Sequence, residues 1–202
     1  MNDVGDLVTL EIDPGKTALV LIDLQAGILA NTLLPYDSET VVANGVALAG
    51  AVKAAGGLVV AVNVSFGPDR INGPQGLIDA PMTTGVSPAN YAEIVPELMT
   101  LADIVVTKRQ WGALHGTELD TLLRRRGIDT VIVGGVATNF GVESTVREGW
   151  SHGYSMIVAE DASTTFSAAM QDFPMKLVFP RIARVRTVTQ IMDALTKSVS
   201  AT

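Results

Sequence analysis

Cysteine is absent from the 202 residues, and histidine occurs only twice. The first absence excludes a disulfide framework, a Cys-ligated zinc or iron–sulfur centre and any thiol nucleophile. The second leaves His115 and His152, isolated from each other and from any HExxH spacing, so neither a metal site nor a cofactor is expected. Basic residues are also scarce: 14 Lys and Arg stand against 21 Asp and Glu, a formal net charge of −7. Phosphate contacts need clustered cations, so nucleic acid is not expected as a partner. No apolar run approaches the ~20 residues needed to span a bilayer. Acids precede the first apolar run in MNDVGDLVTLEID, unlike a secretory signal. The expectation is a soluble cytoplasmic protein without a membrane partner. Hydrophobic residues make up 48% of the chain, too many for a disordered one. The length suits a single domain, taken as residues 1–202.

Runs of β-branched residues alternate with amphipathic stretches. Strands are expected at 17–23 (TALVLID), 58–64 (LVVAVNV), 103–106 (DIVV), 130–134 (TVIVG), 155–159 (SMIVA) and 182–185. Their near-continuous apolar character points to a parallel sheet buried on both faces. Helices are expected at 38–55, 118–126, 139–150, 163–173 and 188–195, with Asp37 or Ser38 capping the first and Thr117 the second. Three arginines end the second, where cations complement the helix dipole. Strand–helix alternation of this kind predicts a doubly wound α/β fold. One segment breaks the rhythm: residues 66–90 carry Pro68, Pro74, Pro81 and Pro88 with four glycines and no clear periodicity. Loops of that length are usually functional.

Several apparent motifs fail. Gly15-Lys16-Thr17 lacks the earlier glycine of a P-loop and precedes a strand instead of following one. Gly134, Gly135 and Gly141 do not form GxGxxG, and no GxSxG nucleophile elbow is present. His152 precedes Gly153 at a helix end, an ordinary place for an imidazole. Ligands of open α/β sheets bind beyond the carboxyl ends of the strands, and three such ends carry useful chemistry. The first ends in Asp23, followed by Gln25. The third leads into Lys108, Arg109 and Trp111. The fourth leads through Val136, Ala137, Thr138 and Phe140 to Gly141 and a helix start, whose N–H groups can bind an oxyanion or a polarised water. An acid, a cation and an amide-lined turn thus share one end of the sheet.

At these residues the chain resembles the isochorismatase-like hydrolases. ALVLIDLQ is similar to the family's opening motif. VTKRQWGALHGTELDTLLRRRGIDTVIVGGVATNFGVESTVREGWSHGYSMIVAEDAS is similar to the remainder. The resemblance runs from about Lys16 to Leu195. It implies a Rossmann-like three-layer α/β/α sandwich with a six-stranded parallel sheet in order 3-2-1-4-5-6, assembled as a homodimer or homotetramer. Most members hydrolyse amides through an Asp, Lys, Cys triad. Asp23 and Lys108 fall on its first two positions and Gly141 on the third, so a thioester cannot form there. The family also implies a cis peptide ahead of the turn, at Val136–Ala137, that aims amides into the oxyanion site. Zinc-binding members carry His after the second strand, where this chain reads NVSFGPDR; metal ligands are therefore none.

True isochorismatases resemble this chain in having Gly at the Cys position. The implied reaction is vinyl ether hydrolysis of a small carboxylated substrate such as isochorismate. Asp23 would act as general acid, Lys108 would hold charge and substrate, and the Gly141 amide would position water. Gln25, Arg70, Trp111, Val136, Ala137, Thr138 and Phe140 are the expected substrate-binding residues, Arg70 as a partner for a carboxylate. The alternative is a catalytically silent small-molecule binder or oligomeric scaffold that kept the fold after losing the Cys.

Overall fold

A computed structural model describes residues 10–67, 70–80 and 88–200. Six strands form one sheet: β1 (Thr17–Ile22), β2 (Leu58–Val64), β3 (Ile104–Lys108), β4 (Thr130–Val136), β5 (Ser155–Thr164) and β6 (Arg184–Arg186). All neighbours pair in parallel, in the order β3-β2-β1-β4-β5-β6. The chain moves outward from β1 to β3, then returns to the other side of β1 with β4. That reversal opens a crevice at the carboxyl ends of the central strands, where ligands of such sheets bind.

The unbroken apolar runs follow from burial on both faces. Leu19 and Leu21 of β1 join Val59 and Ala61 in one core, against Leu48 and Val52 of α2 (Ser38–Ala54) and Ile191 and Leu195 of α7 (Val188–Ser200). Ala18, Val20 and Ile22 join Val60 and Val62 in the other, against Leu119 and Leu123 of α4 (Leu119–Arg125) and Val146 of α5 (Glu143–Ser151). Strand side chains alternate between faces, so a strand covered by helices on both sides must be apolar at every position. Short helices α1 (Ala26–Leu29), α3 (Pro96–Met99) and α6 (Ala168–Phe173) complete the two outer layers. No described helix is long and apolar enough to cross a membrane.

Several expected boundaries move, each for a local reason. The third strand begins one residue later and runs to Lys108. Asp103 is left outside it, accepting a hydrogen bond from the Val59 N–H (2.9 Å) and pairing with Lys53 (2.7 Å). The fifth strand runs five residues beyond the apolar segment. Ser163 and Thr164 hydrogen bond to the Ala159 and Tyr36 carbonyls and pair with Gly135 and Val136. The helix expected from 163 therefore starts at Ala168, capped by Ser167. The sixth strand is 184–186 rather than 182–185, and the last helix reaches Ser200. Asp37 caps α2 by accepting from the Thr40 N–H (2.8 Å), whereas the cap position of α4 falls on Glu118 and not on Thr117, whose hydroxyl accepts from the Leu119 N–H (3.1 Å) just before it. The helix expected from 139 is preceded by a wide turn, Thr138–Val142, of π-helical form. Of the long loop, 68–69 and 81–87, with Pro68 and Pro81, lie outside the described residues.

Candidate active site

Asp23 directly follows β1 with φ 52°, a left-handed conformation that only a few residue types adopt readily. Its N–H still donates to Val62 O (2.8 Å), and its carbonyl accepts from the Gln25 N–H (2.8 Å). This tight turn stops the sheet at a carboxylate. Lys108, the last residue of β3, is 1% exposed and donates from Nζ to Asp23 Oδ2 at 2.8 Å and to Gln110 O at 3.2 Å. The other carboxylate oxygen, Oδ1, is buried and has no hydrogen-bond partner among the described residues. A buried polar atom left unpaired is uncommon enough to mark a site that awaits a partner.

Gly141 lies in the turn after β4, within the same crevice. A Cβ built on it would sit 3.6 Å from Asp23 Oδ2 and 3.4 Å from Trp111 O. Its carbonyl accepts from Thr145 Oγ1 (2.7 Å), and that hydroxyl accepts from the Ala113 N–H (3.1 Å). Thr145 therefore ties the turn to the segment after β3. The Val136–Ala137 peptide is cis.

These groups open onto a cavity of about 170 Å³. Asp23, Lys108 and Tyr91 are its polar side chains, and the rest of the described wall is apolar or aromatic. Of the expected residues, Trp111, Val136, Ala137, Phe140 and Gly141 join Asp23 and Lys108 on the wall. The Trp111 and Phe140 ring centroids are 4.8 Å apart, and Phe166 follows at 6.3 Å from Phe140.

Three expected residues stand elsewhere. Gln25 is fully buried: its amide donates to Val64 O (3.1 Å) and Tyr91 O (2.9 Å) and accepts from the Val64 N–H (2.7 Å). All its reach goes to backbone, so it braces the wall instead of forming it. Thr138 turns away to donate to Gln171 Oε1 at 2.5 Å, and Gln171 in turn donates to Ser163 O. Arg70 does not line the cavity. Its guanidinium lies 4.4 Å from the centre of the Phe66 ring, which does. Phe66, Tyr91 and Phe166 had no motif to announce them. Phe66 and Phe166 follow the ends of β2 and β5, so the strand-end rule applied to every strand finds them, whereas Tyr91 gave no signal.

Burial pushes the Asp23 carboxyl up to about 6, against the opposing pull of the Lys108 charge and hydrogen bond. Burial, the Asp23 charge and, oppositely, Arg70 act on Tyr91, whose net shift is upward. A carboxyl near 6 can give or take a proton close to neutrality. Among the described residues no three His, Cys, Asp or Glu side chains cluster as metal ligands. His115 is exposed and outside the cavity, and His152 ends α5 with Nδ1 3.2 Å from Asp120 Oδ1.

Residues 17–190 match the isochorismatase domain family. The chain is 42% identical over 187 residues to isochorismatase family protein YecD of Escherichia coli O157:H7, covering 92% of this chain and 100% of that one. It is 46% identical over 189 residues to isochorismatase family protein YwoC of Bacillus subtilis, covering 92% and 97%. A shorter stretch of 75 residues, 37% of this chain and 32% of the other, is 44% identical to the ureidoacrylate amidohydrolase RutB of Yersinia enterocolitica. Among solved structures, an isochorismatase family protein from Burkholderia thailandensis superposes with a TM-score of 0.87 at 38% identity, covering 92% of this chain and 98% of that one.

Proposed function

This chain belongs to the isochorismatase family, whose members are hydrolases, and from that premise we propose that it hydrolyses a small carboxylated substrate without a covalent intermediate, with Asp23 as the general acid–base. The observation that carries this reading is the Asp23 carboxylate itself. One oxygen is pinned by Lys108, the other is buried without a partner among the described residues, the residue lines an apolar cavity, and burial pushes its carboxyl up to about 6. Gly141 occupies the position of the family's nucleophilic Cys in this reading, so the attacking group is water. The amidohydrolase relative supports hydrolysis as the reaction type.

Vinyl ether hydrolysis of isochorismate is the specific reaction this constellation suits. Asp23 gives its proton to the terminal methylene of the enolpyruvyl group, and the ether oxygen stabilises the resulting oxocarbenium ion. Water adds to the ether-bearing carbon of that ion and loses a proton to Asp23, and the hemiketal collapses to pyruvate and the ring alcohol. Lys108 orients Asp23 and faces the substrate's carboxylate, while the Gly141 N–H positions the water. Incubation with isochorismate should release pyruvate, and Asp23→Asn should lower the rate by 10²-fold or more. Undiminished turnover by Asp23→Asn would exclude the acid role. The glycine at 141 also favours a second reading, a silent binder. No turnover on a substrate panel, with clear thermal stabilisation by a carboxylated ligand, would establish it.

A further inference from the structure

The cavity presents a problem of charge to any anion that enters it. Lys108 is the one cation on the described wall, and its ammonium is already held by Asp23 Oδ2 at 2.8 Å. The buried pair sums to zero. A ligand carboxylate that reached Lys108 Nζ would bring a second negative charge against Asp23, in surroundings too apolar to screen it. Two carboxylates that close share a proton. Asp23 Oδ1 offers the place: it is buried and without a partner among the described residues, on a side chain that lines the cavity.

We propose that the cavity takes up one carboxylate of a ring-sized ligand together with one proton, which is held between Asp23 Oδ1 and a ligand oxygen while the other ligand oxygen accepts from Lys108 Nζ. The balance is simple: an anion and a proton enter, and no covalent bond of the ligand changes. The proton neutralises the added charge and gives Oδ1 its partner. The ring is argued from the wall, where Phe66, Tyr91, Trp111, Phe140 and Phe166 surround the pair. Volume agrees, since an apolar cavity of about 150 Å³ elsewhere holds benzene. This inference rests on the reading of Asp23 as a proton carrier, and it adds when the proton arrives: with the ligand.

The other charged groups leave Asp23 as the acceptor. Lys108 faces it from β3. Tyr91 faces it from the segment after residue 88, and the Arg70 charge acts on Tyr91. The β4–α5 turn, 136–142, brings no titratable side chain. With the free carboxyl near 6, roughly one molecule in ten already carries the proton at pH 7, so uptake costs about tenfold in affinity there.

The test uses benzoate, with benzamide as its uncharged counterpart, in calorimetric titrations of the whole protein. Titration in buffers of different ionisation enthalpy at pH 7.5 should show close to one proton taken up per benzoate. The benzoate Kd should weaken about tenfold per pH unit from 7 to 9, and benzamide should show neither effect. In Asp23→Asn the uptake should vanish and the benzoate Kd should become flat over that range. No benzoate binding, binding without proton uptake, or uptake that persists in Asp23→Asn would each overturn the proposal. Pyruvate release is a separate readout. Proton uptake with hydrolysis unimpaired in Asp23→Asn would remove the catalytic reading and leave this one standing, and the reverse pattern would do the opposite.

Discussion

A methyl group added at Gly141 would lie 2.9 Å from Ile22 Cγ2, closer than real carbon contacts allow. Ile22 is fully buried and β-branched, so its Cγ2 cannot swing aside as the end of a long side chain could. Gly141→Ala should therefore cost about 1–3 kcal/mol by overpacking. Ile22→Ala removes the obstructing methyl and by itself should cost about 2–5 kcal/mol. In the Ile22→Ala background, the further change at 141 should be nearly free. Urea denaturation of the four proteins in this cycle measures the coupling, and strict additivity, within about 0.5 kcal/mol, would show that the two positions do not meet. The same geometry bears on chemistry. A side chain at 141 would start 3.6 Å from Asp23 Oδ2 and 3.4 Å from Trp111 O, so any residue larger than glycine would crowd the carboxylate as well.

Among the elements, the joints between strand ends decide the shape of the site, and Gln25 is the clearest of them. Its amide links the end of β2 to the segment carrying Tyr91 through three hydrogen bonds of 2.7–3.1 Å. Gln25→Leu keeps the volume but strands the Val64 N–H and takes the amide donor from the Val64 carbonyl, while the Tyr91 carbonyl still accepts from the Gly27 N–H (3.0 Å). Each unpaired buried group costs about 1–3 kcal/mol, so for the two Val64 groups a total loss of about 2–6 kcal/mol is expected in denaturant unfolding, with a raised KM because Val64 and Tyr91 both line the cavity. A loss under about 1 kcal/mol with unchanged KM would contradict that bracing role. This residue also shows where the sequence stops being informative. The strand positions could be read because double-sided burial writes itself as TALVLI and LVVAVNV, whereas the strand order with its crossing at β1 followed only from the family resemblance. Asp23 and Lys108 stood out because charges at the ends of such runs need partners, and each is the other's. Gln25 and Thr138 looked equally suited to a ligand, but their short polar groups serve backbone and a neighbouring amide instead. Nothing in residue type distinguishes an amide that faces a cavity from one that faces a carbonyl. The extra half of β5 was hidden for a related reason. EDAST has no apolar rhythm, and its pairing rests on bonds from Ser163 and Thr164 to distant carbonyls and on the partners Gly135 and Val136.

For the molecule as a whole, the buried pair makes stability depend on pH in an unusual direction. Asp23 has a folded pKa raised by burial to about 6, against 3.8 for an unperturbed carboxyl. Between those values the folded state binds more protons than the unfolded one, so this group's contribution is fully present below about pH 4 and is lost as pH rises through 6. Asp37, Asp103 and Asp120 act oppositely. Asp37 is lowered by its hydrogen bond from the Thr40 N–H. At Asp103 burial pushes upward but bonds from Lys53 and Val59 outweigh it, and at Asp120 bonds from Tyr154 and His152 do the same. Their stabilisation is present above about pH 4 and is lost only as pH falls below it. In the window from 7.5 to 4.5, therefore, the Asp23 contribution increases while these three hold constant. Other groups titrate in that window too, so the measurement must be differential. Asp23→Asn/Lys108→Met removes both charges without leaving a lone buried ion, whereas either single change would. Denaturation of both proteins across the window should show the wild type gaining on the double variant by on the order of 1–3 kcal/mol as pH falls. Parallel curves would mean that Asp23 keeps an ordinary pKa, and with it would go the reason to assign it a proton at neutral pH.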